Sequence, residues 1–527
     1  MAAIDLVETA RLELQSALDA TKTQAERNRL GQFATPPLLA SEILEYAHSL
    51  LPPAAPVRFL DPAVGTGSFY SALLRTFEPS RIADAHGYEI DPHYGREAIK
   101  LWQDTSLRLH LADFTRATPP EPEAAKPNLI VCNPPYVRHH HLAAADKARL
   151  QRLVHHAAGV RLSGLAGLYC YFLCLCHAWL AEDGLAGWLI PSEFMDVNYG
   201  HAVKHYLLHR VTLLRIHRFA PEDVQFGDAL VSSAVVWYRK AAPPAGHAVE
   251  LTYGGRLTSP LASQLVTTDT LRRSPKWTRY PAPHNGHEIA RPHARLGDLF
   301  DIKRGIATGA NDYFILSPEQ VHEYDIPREF VRPILPSAHH LPVDEVEADE
   351  NGEPRLDCKR YLLACSLPDT EVRARYPSLW AYYQWGKERG ISERYLCLHR
   401  SPWYAQENRL PAMFLCTYMG RQGTKSTKPF RFILNHSQAT APNVYLMLYP
   451  KPPLLRVLKA DPSKQRAVWR ALGQITPQVL LREGRVYGGG LYKMEPRELG
   501  NAPADAILAT LNGVLNEPSA QMALFGE

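Results

Sequence analysis

Short apolar runs alternate with amphipathic stretches along the first 240 residues of the chain. The runs have the length and the β-branched or aromatic content of buried strands, and the stretches between them follow the 3.6-residue period of a helix. Strands that alternate with helices predict an α/β fold with a doubly wound, mostly parallel sheet. The predicted strands span residues 57–61, 86–89, 107–112, 128–132, 185–191, 213–219 and 231–238, and the clearest helices span 37–50, 69–77 and 165–180.

The pattern changes near residue 240, where residues 241–246 have the Pro- and Ala-rich composition of a linker. A stretch rich in proline and histidine follows, and from Leu296 onward short mixed segments carry many aromatic and turn residues. We therefore predict a first domain over residues 1–245, a connecting segment over 246–295 and a mixed α+β second domain over 296–527.

Composition places the chain among folded globular proteins, because 46% of its 527 residues are apolar and 21% are charged. Residues 1–240 hold 23 basic and 25 acidic side chains, whereas residues 241–527 hold 35 and 29. A basic second half would suit an acidic polymer as partner, although ordinary scatter of charge accounts for the split equally well.

The cysteines and the apolar runs indicate where the protein works. None of the eight cysteines forms a Cys-x-x-Cys pair, and a chain of this length needs no disulfides, so a reducing cytoplasm is expected. Residues 162–181 lack charged side chains, but the glycines and the histidine among them favour a buried helix over a membrane span. We expect no membrane partner.

The first chemical motif is the strand-to-helix turn at residues 61–67, Asp-Pro-Ala-Val-Gly-Thr-Gly. Glycines at the carboxyl end of a strand let the backbone approach a ligand closely, and doubly wound sheets bind ligands at that edge. A dinucleotide fingerprint would have a third glycine or an alanine where Tyr70 stands, so a nicotinamide cofactor is disfavoured.

Acidic residues end the next two predicted strands. Glu89 lies where a carboxylate can accept hydrogen bonds from both hydroxyls of a ribose. Asp113 could accept from an exocyclic amine, with Phe114 beside it as a stacking surface. Each carboxylate alone could be a helix cap or a solvated side chain, but their successive placement predicts a nucleoside site.

The fourth predicted strand ends in Asn133-Pro134-Pro135-Tyr136. The amino group of adenine is a poor nucleophile because its lone pair is delocalised into the ring. If the Asn133 side-chain oxygen and the Pro134 carbonyl accept its hydrogens, that lone pair is freed, and the prolines keep both acceptors in place. Tyr136 would offer a ring face to the base. An isolated turn of this kind could be an ordinary loop, but here it follows a glycine turn and two acidic strand ends.

This order of motifs resembles that of the γ-class N6-adenine DNA methyltransferases of bacterial type II restriction–modification systems, the TaqI-like family. The N-terminal cofactor motif of that family is present at residues 31–37, Gly-Gln-Phe-Ala-Thr-Pro-Pro. The resemblance covers residues 30–240 and continues more weakly at 299–314 and 487–496. It implies a seven-stranded, Rossmann-like methyltransferase domain followed by a target recognition domain.

The resemblance also implies a methyl donor, S-adenosylmethionine, with no metal required. The implied cofactor residues are Thr35, Asp61, Ala63, Gly65, Gly67, Glu89, Asp113 and Phe114. The implied residues around the target base are Asn133, Pro134, Pro135, Tyr136 and a second aromatic, Phe226, with Phe219 as its rival. The implied contacts to DNA are Arg138, Lys303 and Arg304.

The function implied is methylation of an adenine that is flipped out of double-stranded DNA, which protects host DNA from a separate endonuclease that acts on the same site. The resemblance implies a monomer in the bacterial cytoplasm, associated with the nucleoid. The basic, histidine-rich patch at 138–161 would contact the DNA backbone; a plain surface role stays open, and a metal is disfavoured because consecutive histidines cannot all face one ion.

Two alternatives to this function remain. Glutamine methyltransferases that act on release factors share the Asn-Pro-Pro-Tyr motif but lack a recognition domain of more than 200 residues. A DNA-binding scaffold with an inactive catalytic fold is the second alternative. The complete set of motifs for the cofactor and for the target amine argues against it. The recognised DNA sequence cannot be derived, because base contacts depend on three-dimensional register.

Overall fold

The computed structural model of the chain describes residues 2–220, 223, 225, 232–281, 293–421, 428–487 and 491–511. The chain divides into two compact units. The first comprises residues 1–286 and 487–489, and the second comprises residues 287–486 and 490–527.

The first unit holds an extended sheet and the helices that cover it. Its strands are β1 (Val57–Asp61), β2 (Ile82–Glu89), β3 (Leu107–Leu111), β4 (Leu129–Cys132), β5 (Leu185–Pro191), β6 (Thr212–Arg218), β7 (Ser233–Arg239), β8 (Ala248–Gly255) and β9 (Pro260–Thr267). Its helices are α1 (Ala2–Ala20), α2 (Gln24–Leu30), α3 (Pro37–Leu50), α4 (Ser68–Thr76), α5 (Pro92–Trp102), α6 (Ala144–Ala158), α7 (Leu168–Trp179), α8 (His201–His209) and α9 (Thr268–Arg273).

The strands of the first unit form one sheet in the order β3-β2-β1-β4-β5-β7-β6-β8-β9. Strands β1 to β5 are parallel, and β7 runs antiparallel between β5 and β6. The strand order reverses between β1 and β4, and in such sheets the crevice at the carboxyl ends of the strands beside this reversal binds the ligand. The predicted α/β, doubly wound fold is confirmed, and the sheet is two strands longer than the predicted seven.

Both faces of the central strands are buried. Phe59, Leu129 and Val131 pack in one apolar core, whereas Leu60 and Ile130, which point the other way, pack in another. Strands covered on both faces are apolar throughout, which explains the continuous runs in the sequence. Helix α7 lies in the second of these cores, as predicted for the uncharged stretch around it. Among the described helices, none is long and apolar enough to cross a membrane.

The prediction of a connecting segment over residues 246–295 is wrong for much of its length. Strand β8 pairs parallel with β6, and β9 pairs antiparallel with β8 and forms the edge of the sheet. Val249 and Leu251 of β8 are buried in the core. The edge strand β9 has no charged residue and exposes 70% of Leu261 and 72% of Leu265. The Pro- and Ala-rich residues ahead of β8 concealed its alternating pattern.

The second unit has the predicted mixed α+β composition. Its strands are β10 (Phe300–Arg304), β11 (Ile315–Leu316), β12 (Val331–Pro333), β13 (Glu345–Val346), β14 (Tyr361–Leu363), β15 (Phe414–Thr417), β16 (Met419–Arg421), β17 (Phe432–Asn435), β18 (Tyr445–Pro450), β19 (Arg485–Tyr487) and β20 (Leu491–Lys493). Its helices are α10 (Leu296–Leu299), α11 (Asn311–Phe314), α12 (Pro318–Glu323), α13 (Asp369–Arg375), α14 (Pro377–Glu388), α15 (Tyr395–Leu398), α16 (Pro452–Ala460), α17 (Ser463–Gly473), α18 (Pro477–Glu483), α19 (Pro496–Gly500) and α20 (Asp505–Leu511). The main sheet has the order β10-β18-β15-β17-β13.

Candidate functional site

Three acidic side chains stand at one edge of the sheet in the first unit. Asp61 ends β1, Glu89 ends β2, and Asp113 follows β3. These strands are parallel neighbours, so their carboxyl ends lie side by side. Glu89 accepts hydrogen bonds from the backbone N–H of Gly65 at 3.0 Å and of Asp91 at 2.8 Å. The end of β2 is therefore tied directly to the glycine turn after β1.

The glycine turn needs its two glycines for different reasons. Gly65 and Gly67 have φ angles of +56° and +93°, which side chains other than glycine rarely adopt. A Cβ on Gly67 would lie 2.5 Å from Nε1 of Trp102, which donates a hydrogen bond to the Thr66 carbonyl at 2.9 Å. A Cβ on Gly65 would meet no atom within 4 Å. The turn is therefore packed on one side and presents its backbone to open space on the other.

The two carboxyl groups beside this turn are desolvated. Asp61 is 1% exposed, and burial, together with the neighbouring Glu89, raises its pKa to about 7, although a hydrogen bond from the backbone N–H of Ala63 opposes the shift. Burial also raises the pKa of Glu89, although the hydrogen bonds that it accepts from backbone N–H groups lower the pKa in part. A positively charged ligand placed here would stabilise both ionised carboxylates.

The Asn133 side chain has a defined orientation at the end of β4. Its Nδ2 donates hydrogen bonds to the Phe33 carbonyl at 2.8 Å and to Oγ1 of Thr35 at 3.2 Å. A carbonyl can only accept, so the NH₂ group must face residue 33 and Oδ1 must face away from it. Oδ1 has no hydrogen-bond partner among the residues that the structure describes. The end of β4 therefore offers an unused acceptor.

The N-terminal motif packs on the Asn-Pro-Pro-Tyr turn. The backbone N–H of Tyr136 donates to the Gly31 carbonyl at 3.2 Å, and a Cβ on Gly31 would lie only 2.2 Å from that nitrogen. Tyr136 is 8% exposed, and its hydroxyl donates to the Leu189 carbonyl at 3.0 Å. Pro134 is buried and Pro135 is partly exposed. Stacking of a base on Tyr136 stays a prediction.

Asp113 and Phe114 are engaged by the protein itself. Asp113 Oδ1 accepts from the backbone N–H and the hydroxyl of Thr115 at 2.9 and 2.7 Å, and Oδ2 lies 3.2 Å from Nε of the exposed Arg116. Phe114 is 3% exposed and its ring centroid lies 5.0 Å from that of Trp179. Ile90, next to Glu89, has an exposed apolar side chain that the sequence analysis did not single out, and Leu111 at the end of β3 is exposed as well.

A buried arginine in α1 is a second feature that the sequence analysis missed. Arg11 is 1% exposed and pairs with Glu8 at 2.7 Å. It also donates hydrogen bonds to the hydroxyls of Thr66 and Ser68, at 3.2 and 3.0 Å. Gln15 accepts from Thr66 at 2.6 Å. The spacing of residues 8, 11 and 15 along one face of a helix was the available signal.

Two aromatic residues were predicted as rivals for a second contact to the base. Phe226 lies outside the described residues. Phe219 is 4% exposed, and its ring centroid lies 4.6 Å from that of His217.

The predicted DNA contacts are divided between the two units. In the first unit, Arg138 is exposed and precedes a 3-10 turn, His139–His141. In the second unit, Lys303 and Arg304 are exposed at the end of β10, and the guanidinium of Arg304 lies 4.1 Å from the Tyr418 ring centroid. The residues that were predicted to contact the cofactor or the target amine, and that the structure describes, thus lie in the first unit. In that unit Arg138 is the cation predicted to contact DNA.

Comparison with protein families agrees with this division. The model of the Eco57I restriction-modification methylase matches residues 92–225, and that of the C-terminal domain of the type II methyltransferase M.Eco57I matches residues 283–517. Together the two models match more than half of the chain.

Individual relatives match along most of the chain. The type II methyltransferase M.XamI of Xanthomonas campestris pv. amaranthicola is 28% identical over 489 residues, which cover 89% of this chain and 84% of the relative. M.AccI of Acinetobacter calcoaceticus is 24% identical over 486 residues, which cover 90% and 85%. Among solved structures, the type IIL restriction-modification enzyme MmeI in complex with DNA has the same fold, with a TM-score of 0.50 and 12% identity over 98% of this chain and 75% of that one. As its motif order predicted, the chain belongs to the restriction–modification DNA methyltransferases.

Proposed function

We propose that the protein transfers a methyl group from S-adenosylmethionine to N6 of an adenine that is flipped out of double-stranded DNA, as the modification enzyme of a type II restriction–modification system. The observation that carries this proposal is the orientation of the Asn133 amide. Its Oδ1 faces away from Phe33 and Thr35 and is left for a hydrogen-bond donor of the substrate.

An exocyclic amine is the donor that this arrangement suits. Asn133 Oδ1 would accept one N–H and the Pro134 carbonyl the other. Two acceptors held by the protein draw the amine away from conjugation with the ring and aim its lone pair at the methyl donor. No strong general base is needed, because the amine becomes acidic only after it has gained the methyl group, and its proton can then pass to water. The extra-helical position follows from the need to reach an amine that is otherwise paired inside the duplex.

S-adenosylmethionine fits the residues at the neighbouring strand ends. Asp61 and Glu89 form a desolvated pair with raised pKa values, which a sulfonium and an ammonium group would offset. Glu89 accepts from the backbone N–H groups of Gly65 and Asp91, with a further backbone contact at Ile90. Because a carboxylate has about four acceptor sites, it retains capacity for a ribose hydroxyl. Ile90 offers an exposed apolar surface to an adenine ring. When bound there, the group supplies an electrophilic methyl; Ala63, Gly65, Gly67 and Asp113 complete the proposed site.

The second unit is proposed to read the DNA sequence. It carries Lys303 and Arg304 as exposed cations, and it belongs to the half of the chain with the basic excess. Phosphate contacts position such a domain, whereas contacts to base edges select the target. We further propose that the protein acts as a monomer and that a separate endonuclease cleaves the same sequence.

Transfer of labelled methyl groups to plasmid DNA tests the proposed function. After digestion of the DNA to nucleosides, the label should co-elute with N6-methyl-2′-deoxyadenosine. Asn133→Ala should lower the turnover about 100-fold or more, as expected for a lost preorganised polar group, and leave the affinity for S-adenosylmethionine nearly unchanged. The exposed Asn198 provides the matched control, Asn198→Ala, which should retain activity. Label on cytosine, label on protein or no label at all would contradict the proposal.

A further inference from the structure

We propose that Thr35 and the Phe33 carbonyl act together to hold the Asn133 amide in its productive orientation, so that Thr35 is a positioning residue for the target amine. This inference rests on the proposed function, and it differs from the expectation that Thr35 serves the cofactor. It makes the N-terminal motif part of the site for the base.

The contacts account for both N–H bonds of the amide. One points at the Phe33 carbonyl and the other at the Thr35 hydroxyl oxygen, at 2.8 and 3.2 Å from Nδ2. If the amide were flipped, Oδ1 would face a carbonyl oxygen that cannot donate, and an NH₂ group would face the substrate amine. Thr35 is 6% exposed, so water cannot readily replace its hydroxyl. The two acceptors therefore select one of two amide orientations.

The segment that carries these acceptors is itself fixed at both ends. On one side the Gly31 carbonyl accepts from the backbone N–H of Tyr136, within the same turn as Asn133. On the other side Pro36 caps the N-terminus of α3, and its carbonyl accepts from the backbone N–H of Ala40 at 2.9 Å. Because the segment touches the turn at both Tyr136 and Asn133, its position relative to the amide is set by more than one contact.

Two substitutions at Thr35 separate a positioning role from a cofactor role. Thr35→Val keeps the shape but removes the acceptor and should lower kcat at saturating S-adenosylmethionine by roughly 10-fold, with the dissociation constant of the cofactor changed less than 2-fold. Thr35→Ser restores the hydroxyl and should recover most of kcat. If Thr35→Val weakened cofactor binding and left kcat intact, or changed neither quantity, the proposal would be overturned.

The orientation of the amide can also be tested without activity. In Asn133→Asp the introduced carboxyl must place an oxygen against the Phe33 carbonyl, and only its protonated form can donate there. Its pKa in the folded state should therefore be raised, so the stability of the variant relative to wild type should fall as pH rises from 5 to 8. Asn198→Asp, at an exposed position, should show no such trend.

The stability measurement and the methylation assay contradict different proposals. A stability difference between Asn133→Asp and wild type that stays constant with pH would overturn the proposed orientation, whatever the enzyme methylates. A wild-type protein that labels no DNA amine would contradict the proposed function, and the pH dependence would still decide how the amide is held.

Discussion

Arg11 of the first helix lies 3.2 Å from the hydroxyl of Thr66, in the turn between β1 and α4, and both side chains are buried. The guanidinium also binds Ser68 and forms two hydrogen bonds to Glu8, at 2.8 and 2.7 Å. The turn that is proposed to face the methyl donor is thus held by a residue of α1 that lies 55 positions earlier in the chain than Thr66.

The buried pair of Arg11 and Glu8 gives a prediction for stability. Arg11→Met should lower the free energy of unfolding by about 3–5 kcal/mol, because it leaves the buried Glu8 carboxylate without its positively charged partner. The double variant Glu8→Leu, Arg11→Met should recover much of the loss. Urea denaturation measures both, with the exposed Arg29→Met as the control. A loss below about 1 kcal/mol in Arg11→Met would mean that α1 does not hold the turn.

Glu89 gives a prediction for binding. Glu89→Ala should weaken S-adenosylmethionine binding by roughly 1–3 kcal/mol, the cost of leaving polar groups of the ligand and of the turn without their acceptor. Affinity for DNA without cofactor should barely change. Isothermal titration calorimetry provides the measurement, and Glu97→Ala in α5 is the matched control. Unaltered cofactor affinity in Glu89→Ala would contradict the proposed contact to the ribose.

Asp61 gives a prediction for the pH dependence of stability. Its pKa is raised to about 7 from 3.8, so between these values the folded state holds a proton that the unfolded chain releases. The free energy of unfolding should therefore decrease as pH rises from 4 to 7, and this contribution should be constant above 7. Asp61→Asn cannot ionise, so it should gain stability relative to wild type between pH 5 and pH 8. Denaturant midpoints at the two pH values measure the difference, and an unchanged difference would contradict the burial of an ionisable group at this position.

The added strands β8 and β9 give a prediction for fragments. A fragment that ends at residue 245 loses both strands and uncovers β6, so it should aggregate. A fragment of residues 1–281 keeps the sheet complete and should be soluble and bind S-adenosylmethionine, without specific DNA binding. Size-exclusion chromatography and calorimetry test these outcomes. Equal solubility of the two fragments would contradict the assignment of β8 and β9 to the first unit.

The sequence predicted what depends on local pattern and chain order. The ends of β1, β2 and β4, with Asp61, Glu89 and Asn133 on them or just after, follow from apolar runs that stop at polar residues. Contacts between segments that are far apart in the chain could not be predicted from the sequence. Nothing in the sequence shows that Thr35 meets Asn133, 98 residues later, or that Arg11 meets Thr66, because such pairs are set by how the segments pack.

Local pattern also misled where two signals conflicted. Residues 241–246 have the composition of a linker, and that signal outweighed the alternation in Ala248–Gly255 that follows. Phe114 was expected to present a ring face, but a single position does not reveal that Trp179 and Phe172 enclose it.

The edge strand β9 has a practical consequence for the purified protein. Natural edge strands commonly carry a lysine or a proline that prevents pairing with another molecule. Here the eight residues Pro260–Thr267 have a proline at the first position and no charge, with Leu261 and Leu265 turned outward. In concentrated solution this strand is where two molecules would join edge to edge and precipitate. Leu265→Lys is accordingly the first substitution to introduce when the protein is concentrated for crystallisation.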